Sequence, residues 1–109
     1  MNLISFRIIV PSKKHPEVAK ILTRMAEKTR VESGCLACNI YRDIQDKRAL
    51  VLEEIWNSDE EIINHLRTEE FRHVLLVAEI ALEKPQVRFC KVIPGDGMQR
   101  IEKLRGLNE

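Results

Sequence analysis

Few side chains in this sequence have the type and spacing to do chemistry. Cys35 and Cys38 stand in "GCLACNIYRD" (34–43) at the spacing of a Cys-x-x-Cys pair, and Cys90 lies alone further on. Histidines occur at 15, 65 and 73, Glu53 and Glu54 are adjacent, and Trp56 follows them. A redox pair of this spacing sits at a helix N-terminus, where the dipole lowers the thiol pKa. A zinc site needs two further ligands, and the chain offers no second close pair. Here the pair follows a helical segment and opens a stretch of period two. In a strand, residues three apart point to opposite faces and lie about 10 Å apart at about 3.3 Å per residue. A disulfide needs Cα atoms within about 7 Å. The expectation is two free, inert thiols and no metal.

The histidines differ in setting. His15 precedes Pro16 at a loop-to-helix junction and reads as a solvated turn residue. His73, in "FRHVLL", falls on the outer side of a helix. His65 follows Ile62 by three positions, between Ile63 and Leu66, so it lies at the edge of a buried stripe, partly dry. It is either a satisfied half-buried histidine or a functional one. Partial burial would lower its pKa by disfavouring the charged form. Asn39 and Tyr41 share a strand face with Ala37, from which polar groups could enter a pocket. Glu53 and Glu54 occupy opposite strand faces, so one points inward or toward a partner, as a base or, more simply, in an ion pair with an arginine such as Arg42.

The elements that must position these residues follow from periodicity. "LISFRIIV" (3–10) alternates as a strand with apolar residues on both faces. Pro16 opens a helix whose stripe is Val18, Ile21, Leu22 and Met25, and Ser33-Gly34 stops it. Period two returns, with Leu36, Cys38 and Ile40 on one face, and residues 35–56 read as a hairpin around the polar turn 43–47. "SDEE" (58–61) is a capping box opening a helical region, 59–83. Thr68, a second N-cap, breaks it near 67–68, and Phe71, Val74, Leu75, Ala78 and Leu82 form the stripe beyond. Pro85 closes that region, 86–93 is a last strand, "PGDG" (94–97) a turn, and the tail a short helix with Met98, Ile101 and Leu104 on one side. This order predicts an α+β, ferredoxin-like domain over 1–94: a four-stranded antiparallel sheet with helices on one face. The tail, 95–109, would brace a dimer. All four strands keep apolar residues on both parities, so the uncovered sheet face needs a cover, most simply a second copy of the chain.

Composition bounds the function. Its 109 residues suit one domain. Eighteen basic against seventeen acidic residues, net +1, lack the one-sided basic surface that nucleic acid requires. The longest apolar run, 74–82, contains Glu79 and is too short to span a bilayer. The absence of a leader and an odd cysteine count predict a cytoplasmic protein.

Residues 33–71 resemble the central signature of the antibiotic biosynthesis monooxygenase family, which includes quinol monooxygenases. The likeness rests on Gly34-Cys35-Leu36, Tyr41-Arg42-Asp43, the strand Val51-Leu52-Glu53-Glu54 leading to Trp56, and Asn64-His65-Leu66 followed by Phe71. The resemblance implies a dimeric α+β barrel, two ferredoxin-like sheets face to face. It also implies oxidation of a small quinol-like or phenolic aromatic by O₂ without flavin, haem or metal. On this footing His65 is the proton acceptor, Trp56 and Phe71 are pocket walls, and Asn39 and Tyr41 orient the substrate. A non-catalytic dimeric ligand-binding module of the same fold is the alternative. The family's haem-degrading branch carries an Asn on the first strand and a Trp where His65 stands, with a His ten residues later where this chain has Leu75. Those departures argue against haem as substrate. Glu70 replaces a second His common among relatives.

Overall fold

The computed structural model describes residues 1–106, and the end of the predicted tail, 107–109, lies outside them. Its elements, in chain order, are β1 (Asn2–Ile9), a 3₁₀ turn (Ser12–Lys14), α1 (His15–Thr29), β2 (Cys35–Arg42), β3 (Ala49–Trp56), α2 (Asp59–Leu66), α3 (Arg72–Glu79), β4 (Gln86–Lys91) and α4 (Met98–Leu104). The strands form one antiparallel sheet in the order β2-β3-β1-β4. This is the ferredoxin-like α+β arrangement that the element order predicts.

Strand parity decides what meets the helices. Ile4, Phe6 and Ile8 of β1 face the helical layer with Leu50, Leu52, Glu54 and Trp56 of β3, all buried. From α1 come Val18, Leu22, Met25 and Ala26, and from the later helices Ile62, Phe71, Val74 and Val77. Each large apolar side chain so buried stabilises by roughly 1.5–3 kcal/mol. The second helical region ends at Glu79 rather than 83, which leaves Leu82 outside it; Phe71, Val74 and Val77 are buried, and Ile63, Leu75 and Leu82 are exposed. A single helical layer covers only part of each helix.

On the other sheet face Leu3, Ala37, Val51 and Ile55 are half-buried and Tyr41 is exposed, among polar residues such as Arg7, which pairs with Asp43 at 2.9 Å. None of the described helices packs over this face.

Two details differ from the periodic reading. Cys35 pairs with Trp56 but Ala37 with Ile55, so Leu36 is an extra residue in a β-bulge. The bulge extrudes Leu36, 53% exposed, and reverses the parity ahead of it. Cys35 and Cys38 therefore share the helix-facing side instead of opposing one another. His15 is not a solvated turn residue: it is buried, with its Nε2 2.8 Å from the Arg48 carbonyl and its Nδ1 3.4 Å from Arg42. The start of α1 packs against the end of the β2–β3 hairpin, and that contact is invisible to local sequence.

Candidate active site

His65 is fully buried, and both of its ring nitrogens meet carboxylates. Nε2 lies 3.0 Å from Glu54 Oε2 and Nδ1 lies 3.0 Å from Glu32 Oε2. The other Glu54 oxygen, Oε1, accepts a hydrogen bond from Trp56 Nε1 at 3.1 Å. The Trp56 ring stacks on the imidazole at a centroid distance of 4.6 Å, and Phe71 meets it edge-on at 5.5 Å. Phe71 in turn lies 5.6 Å from Phe6.

Each member is placed by its own element. Glu54 and Trp56 share the inward parity of β3. His65 sits in the last turn of α2, whose start is capped by Ser58 Oγ accepting from the Glu61 N–H at 3.4 Å. The capping box is one-sided: Glu61 Oε2 is buried without a hydrogen-bond partner among the described residues. Thr68 ends the turn after α2, donating to the His65 carbonyl at 2.7 Å and accepting from the Phe71 N–H at 3.2 Å. This local cap breaks the helical region where the sequence suggests and aims Phe71 inward. Glu32 comes from the turn after α1, which reverses at Gly34 with φ +84°. A Cβ at Gly34 would collide with the Glu61 carboxylate, so the glycine answers both the backbone conformation and the close approach of α2.

Burial is the largest single influence on the His65 pKa and pulls it down. The hydrogen bond and charge of Glu54, then those of Glu32, outweigh it, and the net shift is upward from 6.5. This reverses the sequence expectation, because burial alone omits the two carboxylates. An imidazolium so placed donates from both nitrogens and lies against an aromatic face, where cations are attracted. The carboxylates sit on opposite sides of the ring and do not converge. Among the described residues no group of three His, Cys, Asp or Glu side chains is placed to hold a metal ion.

The site residues read from the sequence fall into two sets. His65, Trp56 and Phe71 come together on the helix side of the sheet. Asn39 and Tyr41 project from the opposite face, with Ala37, and a ligand touching His65 within one chain cannot touch them. Asn39 Oδ1 lies 3.5 Å from Arg30, which also donates to the Cys38 carbonyl at 2.8 Å. Glu54 resolves the adjacent pair: it points inward and Glu53 points to the open face. Its partner is His65, while Arg42 turns to His15. Glu32 carried no sequence signal. The alternation Leu50, Leu52, Glu54, Trp56 did contain Glu54.

Cys35, Cys38 and Cys90 are free thiols. Burial, followed by the charge of Glu54, raises the Cys35 pKa and pushes Cys38 up to about 12. Burial and the nearby Glu54 carboxylate disfavour both thiolates, and the strand does not separate the two side chains.

Clefts lie around this network rather than on it. One of about 370 Å³ is bordered by Glu32, Ser33, Glu61, Asn64 and Thr68 and makes Glu32 the member of the network nearest solvent. A second, of about 320 Å³ between α1 and α3, has Lys20, Arg24, Glu70 and His73 at its rim. A third, of about 100 Å³, lies between α2 and β4 at Asn2, Ile62 and Phe89. His65 lines none of these three.

A four-stranded ferredoxin-like sheet under one helical layer, with a Glu-His-Glu network between aromatics at their interface, defines the chain as a small α+β domain. The chain belongs to the antibiotic biosynthesis monooxygenase family, whose sequence profile matches residues 1–75. Comparison with curated proteins finds no match. Among solved structures the chain is similar to an antibiotic biosynthesis monooxygenase at 25% identity, TM-score 0.78, over 86% of this chain and 100% of the other. The fold is shared with a conserved protein from Methanosarcina mazei Go1 (18% identity, TM-score 0.78, covering 84% and 92%). It is shared also with Rv0793 from Mycobacterium tuberculosis (19%, TM-score 0.77, covering 86% and 96%). No helix among the described residues is long and apolar enough to cross a membrane.

Proposed function

We propose that the chain is a cofactor-independent monooxygenase that oxidises a small phenolic or quinol-like aromatic with O₂, acting as a homodimer. The observation that carries this reading is the Glu54–His65–Glu32 network, in which buried Glu54 and His65 meet partly exposed Glu32 at the junction of three elements, the kind of titratable cluster found at functional sites. The chemistry balances with O₂ alone. A phenol loses its hydroxyl proton, the phenolate passes one electron to O₂, and the radical pair joins at the ring carbon para to the oxygen. Loss of that carbon's hydrogen with cleavage of the O–O bond yields a quinone and water. One oxygen atom enters the ring and the other leaves as water, so no further reductant is consumed.

The protein must take a proton and later return one to the departing hydroxide. An imidazolium between two carboxylates does both, since the carboxylates accept and the imidazolium donates. Glu32 connects the network to solvent. On the other side, Phe71 and Phe6 lead from His65 to the helix-side face of β4, where Val87 and Phe89 are exposed. That apolar surface is the substrate site in this reading, and Phe71, beside the break between α2 and α3, is the gate to the imidazole. Trp56 holds Glu54 and stacks on His65. Asn39 and Tyr41 belong to the dimer face.

The second reading, a ligand-binding module without chemistry, is favoured by one observation: both His65 nitrogens are already engaged. Oxygen uptake over a panel of hydroquinones and phenols, with metal-stripped protein, separates the two. Uptake with stoichiometric quinone supports the enzyme. Saturable binding without uptake replaces it with the module.

A further inference from the structure

The described chain after β4 has no place on its own domain. Val92 continues the ladder by donating to the Met1 carbonyl at 2.9 Å, and Pro94-Gly95-Asp96-Gly97 follows. Beyond that hinge, α4 buries none of its residues, although Met98, Ile101 and Leu104 recur at helical spacing on one side. The molecule measures 51 × 33 × 21 Å with a radius of gyration of 15.9 Å, where a compact domain of this length would have about 13 Å. A seven-residue helix standing free in water is not stable by itself. Its apolar stripe requires a surface.

The same chain leaves a surface of matching character uncovered. Val87 and Phe89, on the helix-side face of β4, are 45% and 65% exposed, and no residue of β4 is buried. Phe89 also borders the small cleft at Asn2 and Ile62, whose rim carries Asp59 at the start of α2, 3.6 Å from Lys91. The polar side of α4 carries Arg100 and Lys103, while Arg105, four residues after Ile101, falls on the apolar side. Hydrophobicity and charge sign agree.

We propose that α4 of one copy lies across the β4 groove of a second copy, reciprocally, so that Met98, Ile101 and Leu104 roof the partner's Val87 and Phe89. The occupant is a second copy because α4 buries none of its residues on its own domain. A short hinge before an element with no partner in its own chain is also the usual setting of exchange between protomers. The groove of each chain is then open on one side until the partner's arm closes it. The inference concerns the architecture of the site and stands whether or not the groove is catalytic.

Inter-chain cross-linking of full-length protein tests it. In a Cys90→Ser background, chains carrying Val87→Cys are mixed with separately tagged chains carrying Ile101→Cys and treated with a short bismaleimide. Docking places the two thiols at an effective concentration in the millimolar range. A tagged–untagged species should therefore form about a hundredfold faster than with chains carrying Val31→Cys, an exposed site outside the groove, in place of Val87→Cys. Leu104→Asp, added to the Ile101→Cys chain, places a charge in the apolar stripe and should return the rate to that of the control. If the mixture gives only the control rate, the proposal is overturned. Closure of both thiols within one chain of the double variant Val87→Cys/Ile101→Cys would then show the arm folded on its own domain. Sedimentation of the same samples reports separately whether a dimer forms through the sheet.

Discussion

His65 Nε2 lies 3.0 Å from Glu54 Oε2, and neither side chain is exposed to solvent. Removing one partner leaves the other buried without compensation, which costs about 3–5 kcal/mol. Glu54→Ala and His65→Ala should each lower the unfolding free energy by about that amount in urea. Glu32→Gln should cost less, because Glu32 is partly exposed. If His65 carries the proton, His65→Ala also lowers turnover by roughly 10²–10⁴-fold. His65→Gln, which can hydrogen-bond but not titrate, should recover stability more than activity. Near-parent turnover in both His65 variants would remove it from the mechanism.

The raised pKa of His65 gives the network a direction in pH. A group whose folded pKa exceeds its unfolded value stabilises fully below the unfolded value and loses that contribution as pH rises through the folded value. The window therefore opens at 6.5 and extends upward. Denaturant midpoints of the parent should fall across this range, and those of His65→Gln should fall less. A parent profile that rises with pH there, parallel to the variant, would contradict the ion pairing.

The three thiols should differ in reactivity. Cys90 is exposed, whereas Cys35 and Cys38 have raised pKa values, that of Cys38 about 12. Alkylation at pH 8 followed by peptide mass analysis should modify Cys90 first and Cys38 last. Replacing Cys35 by Ser and Cys38 by Ala should leave any activity within a few-fold of the parent. Stoichiometric zinc on the parent protein would refute the inert assignment.

Gly34 combines φ +84° with the close approach of Glu61. Gly34→Ala should destabilise by more than about 1 kcal/mol, since both the backbone and the packing resist a Cβ. Gly34→Ala combined with Glu61→Ala should recover the packing share and leave the conformational share. Thermal melts of the two variants separate the parts.

The open sheet face supplies a test of the dimer. Val51 and Ile55 are half-buried there within one chain. A stable dimer through this face buries on the order of 2,000 Å² or more in total. Val51→Arg with Ile55→Arg should give a folded monomer in sedimentation, and a parent that sediments as a monomer at micromolar concentration would exclude the interface.

Much of the domain was legible locally. The switch from period two to helical spacing located the strands and helices, and Pro16, Ser58 and Thr68 marked ends, whereas α3 stops at Glu79, ahead of Pro85. The alternation through Leu52, Glu54 and Trp56 already placed one carboxylate on the core side, and the position of His65 beside Ile62 already placed it near that core. The reading of the cysteines failed at one residue, because Leu36 is a bulge and a bulge has no periodic signature. The reading of His15 failed because its neighbours are the hairpin carbonyl of Arg48 and the side chain of Arg42, distant in sequence.

The sequence alone determined the order and type of the elements, and with them the layering. The spacing of apolar side chains and the caps act over a few residues and need no knowledge of the rest of the chain. The pKa direction of His65, the shared face of the thiols and the separation of Asn39 and Tyr41 from the imidazole were decided only by the tertiary structure. Glu32 and Glu54 reach His65 across 33 and 11 positions. Strand register and helix packing settle such pairings, because which charge meets which in a dry interior depends on where distant segments are brought together, not on what precedes or follows them.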